Sequence, residues 1–142
     1  MNARGLIVSM APLMLLGAVQ PILSLQPGEW ETVTAVTSSD LPGVPAFVSR
    51  LMMKPKTNRR CIDARTAAQG PAQAMLAKGC TAADLRMASD SFVVDLVCGK
   101  LRTHIYGRAT ADTLDGTGET TKIDSKLDVW ARFTSRRIGI CS

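Results

Sequence analysis

Aromatic side chains are nearly missing from this chain: Trp30, Phe47, Phe92, Tyr106, Trp130 and Phe133 are all of them in 142 residues. A core without many large rings rests on Val, Leu, Ile, Ala and Met, and a chain of this length forms one domain with a modest core. Histidine is scarcer still. His104 is the only one, so any mechanism that needs an imidazole has a single choice, and no nucleophile-elbow sequence accompanies it. Short Cys-x-x-Cys and Cys/His spacings are absent, which excludes the common zinc frameworks. Gly116-Thr117-Gly118 lacks the lysine and the following helix of a phosphate-binding loop and reads as a turn. No aromatic residues interleave the basic ones, which argues against a nucleic-acid surface. A membrane-spanning run is missing too: the apolar stretch from Gly5 to Val19 falls short of the roughly 18–20 residues a span requires.

What is present points first to a compartment. Arg4, the apolar stretch and the break at Gln20-Pro21 together read as a signal peptide over residues 1–24, leaving a single domain over residues 25–142 in the periplasm or outside the cell. The cleavage position stays open, because a cut after Ala18 puts Leu16, and a cut after Ser24 puts Ile22, at the −3 position where a small residue is wanted. Four cysteines, Cys61, Cys80, Cys98 and Cys141, suit an oxidising compartment and allow three pairings. Cys80 and Cys98 bracket two strand-like runs around the turn formers Ala88-Ser89-Asp90-Ser91. Folded about Ser89, the stretch places them opposite each other at a separation a disulfide accepts. Cys61 then pairs with Cys141. By chain entropy alone the short and long loops contribute at most about 3 and about 4.5 kcal/mol.

Along the chain, residues 30–37 read as an outer strand with Trp30, Thr32, Thr34 and Val36 on one face. Pro42 and Pro45 interrupt pairing. The apolar run 47–53 is strand or loop. Residues 54–65 are the most basic segment and read as a solvated loop, with an anion-facing patch as the functional alternative. One helical segment covers 63–79: Asp63 or Thr66 caps it, Gly70-Pro71 interrupts it and Gly79 ends it. The hairpin with Phe92, Val94 and Leu96 on one face follows, then a strand over 101–109, a polar turn over 112–118, and a short strand over 119–123. The last strand, 127–135, has the cleanest alternation in the chain. The fold class expected is mainly β with one helical segment: an antiparallel meander forming a curved sheet or partial barrel, stapled by disulfides.

Pro27-Gly28-Glu29-Trp30-Glu31 soon after a signal segment, four cysteines in this order, Gly116-Thr117-Gly118-Glu119 and the closing Arg136-Arg137-Ile138-Gly139-Ile140-Cys141 together resemble the DUF3617 family of small bacterial envelope proteins. The resemblance covers residues 27–142. It implies a secreted, cysteine-bearing, strand-rich domain of uncharacterised function, with no active site to carry over. The chain departs from the family pattern in its richer basic segment before Cys61 and in Ile140 ahead of the last cysteine.

No catalytic residue, cofactor or metal is expected. Asp112, Asp115 and Glu119 cluster in what reads as turns; a hydrolase would need them converging in a cleft, and their spacing misses a calcium loop. The leading expectation is a non-enzymatic envelope domain holding an apolar small molecule or a protein partner, with Trp30 and Trp130 as candidate ligand platforms. The alternative is docking to an anionic lipid surface through Lys54, Lys56, Arg59 and Arg60.

Overall fold

The computed structural model describes residues 23–142; residues 1–22, nearly all of the expected signal segment, lie outside the described residues. Seven strands, β1 (Gly28–Asp40), β2 (Lys56–Ile62), β3 (Thr81–Ala88), β4 (Ser91–Cys98), β5 (Leu101–Ala109), β6 (Thr113–Lys122) and β7 (Asp128–Gly139), form one antiparallel sheet in the order β2-β1-β7-β6-β5-β4-β3. Strands β3 to β7 are the expected meander. The first strand does not extend it at the β3 side; it pairs with β7 and carries β2 at its other flank. β1 is therefore an inner strand, not the outer one its mixed pattern suggests. The sheet is curved and not closed, with β2 and β3 as its edges.

The central hairpin holds the two cysteines by a compensation. Its turn is Ser89-Asp90, with Ala88 opposite Ser91, which alone would set Cys80 against Gly99. A bulge between Ala83 and Arg86 inserts one extra residue, with Asp84 in the left-handed region at φ 51°. The register beyond it shifts by one, and Cys80 meets Cys98. Cys61 and Cys141 form the second disulfide.

Three segments differ from expectation. Residues 46–52 form a helix, α1, none of whose residues is buried. The basic segment is mostly the edge strand β2, hydrogen-bonded to β1 from Thr34↔Lys56 to Gly28↔Ile62. Charge on an edge strand is the common guard against pairing with another chain. The helical segment is two short helices, α2 (Ala64–Ala68) and α3 (Pro71–Met75). Asp63 caps α2 by accepting from the Thr66 N–H at 2.7 Å, and Gly70, at φ 93°, breaks the chain before Pro71 starts α3. Helix α3 already ends at Met75, and Gly79 lies in the turn before Cys80.

Strand β6 corrects the expected turn at 112–118. Gly116 sits mid-strand opposite Gly107, and both face the concave side. The Phe92 ring lies over Gly107 and the Phe133 ring over Gly116. Glycines under aromatic rings let a sheet bend inward without losing apolar contact. The core fills this concavity: Trp30, Phe92, Val94, Leu96, Ile105 and Leu114 from the sheet, with Ala67, Ala72 and Ala74 from α2 and α3 laid across it. Leu25 is pinned beneath by its N–H to the Ala67 carbonyl at 3.0 Å.

A methyl group at Gly116 would collide with the Tyr106 carbonyl oxygen and the Gly107 Cα, both backbone. Gly116→Ala should therefore lower unfolding stability by about 1–3 kcal/mol. Gly139→Ala, with nothing near its added methyl, should change it little. Urea denaturation of both variants checks this; equal stabilities would contradict the role given to Gly116.

Candidate functional site

The curved sheet leaves a cavity of about 320 Å³ on its concave side, at the lower end of the roughly 300–1,000 Å³ that small-ligand pockets occupy. Its deep walls are apolar: Trp30, Ile62, Leu96, Ile105 and Leu114 are all buried. Met75 of α3 and Phe133 of β7 complete them. The Trp30 indole N–H is satisfied by the Gln26 carbonyl at 3.0 Å, so the ring presents carbon and not an orphan donor to the cavity.

Hydroxyl groups mark the rest of the lining, and they are tied in pairs. Thr32 Oγ1 and Ser135 Oγ share a hydrogen bond of 2.7 Å between β1 and β7. Thr103 Oγ1 and Thr120 Oγ1 share one of 2.9 Å between β5 and β6. Paired in this way, they lower the polarity that a ligand meets. The exposed members of the lining are Thr34, Asn58 and Arg60, so the cavity opens at the β1–β2 corner. Arg60 donates through Nη1 to the Leu76 carbonyl at 3.3 Å. Among the described residues it takes part in no ion pair, leaving a cation at the mouth of an apolar hole.

The other basic residues singled out in the sequence do not join it. Arg59 points to the outer face and bonds Glu31 at 3.0 Å, and Arg136 of β7 bonds the same carboxylate at 3.3 Å. These two guanidinium hydrogen bonds hold the Glu31 carboxyl below the usual range. Lys54 and Lys56 stand at the start of β2, exposed. The expected four-residue patch is thus divided among an ion pair, a cavity mouth and the exposed start of β2. The two tryptophans are likewise separated. Trp30 lines the cavity, whereas Trp130 lies on the convex face of β7, opposite Glu119 of β6.

Asp115 and Glu119 also lie on the convex side of β6, since Leu114, Gly118 and Thr120 take the concave positions. Asp112 is held in the β5–β6 turn by the Thr110 hydroxyl at 3.0 Å. The three carboxylates do not converge on the cavity. On the convex face His104 Nδ1 is hydrogen-bonded to Asp95 Oδ1, with the Tyr106 ring edge-on to the imidazole. Sequence reading missed this pair, although a two-residue turn at Gly99-Lys100 would have placed Asp95 directly across from His104. Among the described residues, no group of three or more His, Cys, Asp or Glu is placed to hold a metal ion.

A family model described as "Protein of unknown function (DUF3617)" matches residues 25–141. The chain belongs to the DUF3617 family. No curated protein and no solved structure matches it. The match to this DUF3617 domain runs from Leu25, the first buried residue of the described chain, to Cys141. It therefore takes in every strand, both disulfides and the whole cavity lining. The two disulfides are compatible with an extracellular or periplasmic protein.

The lowered pKa of Glu31 sets a testable pH dependence. Its ion pairs contribute stability above the unfolded-state value of about 4.3, and that contribution is lost as pH falls through the lower folded-state value. Glu31→Gln should therefore be less stable than wild type at neutral pH, and the gap should close in acid. Thermal melts of both proteins across that range check it; a gap independent of pH would contradict the ion pairs.

Proposed function

We propose that the DUF3617 domain is an exported, non-enzymatic binding protein that holds one amphiphilic small molecule, apolar end inward, in the concave cavity. The observation that carries this reading is the cavity itself: buried aromatic and aliphatic walls, internally paired hydroxyls, and at the mouth Arg60, which is in no ion pair among the described residues. A short acyl chain suits the walls, and an anionic headgroup suits Arg60, which can offer it charge-assisted hydrogen bonds. The signal-like N-terminus and the disulfides support export. The position of Asp112, Asp115 and Glu119 away from the cavity supports binding over hydrolysis.

Trp30 provides the assay. In a Trp130→Phe background it is the only tryptophan, and its emission should shift on titration with dodecanoate. Ala131→Phe, which fills space lined by Ala131, should weaken binding tenfold or more. Arg60→Gln should weaken dodecanoate by about 10-fold or more, from loss of a charged hydrogen bond, and leave dodecanol nearly unaffected. No shift with either compound, or an unchanged affinity in Ala131→Phe, would sink the proposal.

A further inference from the structure

Helix α1 is an apolar element without a cover. Phe47 is 65% exposed and Leu51 56% exposed; four residues apart, they share one helical face. Val44 and Met53 flank them, also exposed. A seven-residue helix with no buried residue gains little from its own hydrogen bonds, since isolated helices this short are marginal in water. Single exposed apolar residues need no explanation, but a cluster of this kind marks a contact surface.

The sheet brings two further segments to the same end. Asp40, the last residue of β1 before the loop to α1, pairs with Asp128 of β7, and Asp128 pairs with Thr121 of β6. The β6–β7 turn therefore emerges at the end of the sheet from which the chain leaves β1 for α1. Its Ile123 is 60% exposed and donates its N–H to the Lys100 carbonyl at 3.0 Å, which joins the β4–β5 turn to the group. Cations accompany these apolar tips: Arg50 within α1 and Lys54 just after it, Lys122 at the end of β6, and Lys100 and Lys126 on the turns, all exposed. None of them is in an ion pair among the described residues. Asp40, Asp124 and Asp128 are the acidic residues at this end, so the balance is positive.

We propose that this end of the sheet docks on an anionic lipid bilayer, with Phe47, Leu51 and Ile123 entering the interface and the lysines and Arg50 facing the headgroups. Charge complementarity selects the occupant. Apolar tips on two separate segments, α1 and the β6–β7 turn, with long flexible cations at the same end, match a fluid negative surface, where lysine stems lie along apolar ground while their charges stay wet. None of the described helices is long and apolar enough to cross a membrane. This surface is distinct from the cavity and does not depend on its contents.

The test is co-sedimentation of the full chain with vesicles of phosphatidylcholine, alone or mixed with phosphatidylglycerol. Wild type should bind the mixed vesicles, and rising salt should weaken binding. Phe47→Ser with Leu51→Ser should cut binding by about tenfold or more, and each of Lys122→Gln and Lys126→Gln by about fivefold. No residue of α1 is buried, so these variants retain the core. Every protein carries the same N-terminus, so any contribution from residues 1–22 cancels in the comparison. Ile140→Ser, equally apolar and exposed but at the opposite end, should bind as wild type does. Undiminished binding in Phe47→Ser/Leu51→Ser, equal binding to neutral vesicles, or no binding at all would overturn the proposal. So would self-association that this variant abolishes in the absence of vesicle binding, since it would assign the face to a second copy.

Discussion

The pairing of β1 with β7 is the constraint on which the rest of the molecule depends. It runs from Glu29↔Gly139 to Asp40↔Asp128 and joins an N-terminal two-stranded unit to a five-stranded meander. Only that junction sets Trp30, Thr32 and Thr34 on the same concave face as Leu96, Ile105 and Leu114. The Cys61–Cys141 disulfide reinforces it by tying β2 to the chain end beyond β7, across the start of β1. Gly28 is required at this crossing. Its φ of 146° and the closeness of the Gly139 carbonyl leave no room for a side chain. The hydrogen bond between the Thr32 and Ser135 hydroxyls is a further link across the same pair of strands.

How much of this could be read from the residues depended on whether the information was local. Phe92, Val94 and Leu96 alternate with wetter neighbours, and the strand over 101–109 coincides with β5, because one buried face writes a period of two into the sequence. The Cys80–Cys98 pairing was legible from symmetry, although the symmetry holds only through the Asp84 bulge. Strand β2 was illegible because six of its seven residues are exposed, so no face leaves an apolar imprint. The first half of β6, read as a turn ahead of a short strand over 119–123, was hidden for a different reason. Its concave positions include Gly116 and Gly118, where space is needed for neighbouring atoms and not for a side chain of its own. Helix α1 is apolar without burial and carries no packing signal. The cavity was invisible because it is made by contacts across a hundred residues, and Arg60 becomes a mouth residue only once β2 is seen to pair with β1.

The basic character of the chain resolves into separate roles. Arg59 and Arg136 hold Glu31 on the outer face, Arg108 holds Asp90 beside the central hairpin, and Arg60 stands at the cavity. The exposed lysines collect at the end that carries α1. The two faces of the sheet differ in the same orderly way. The convex face carries His104 with Asp95 and the Glu31 ion pairs, and the concave face, apart from Arg60 and Asn58 at the cavity mouth, is apolar with paired hydroxyls.

The most direct measurement is native mass spectrometry of the full chain purified without detergent or organic solvent. A cavity that holds an amphiphile predicts a non-covalent adduct of lipid-like mass, released on denaturation with both disulfides intact and missing from the Ala131→Phe protein. Bare protein mass under gentle conditions, with no extractable lipid and no adduct when dodecanoate is supplied, would contradict it.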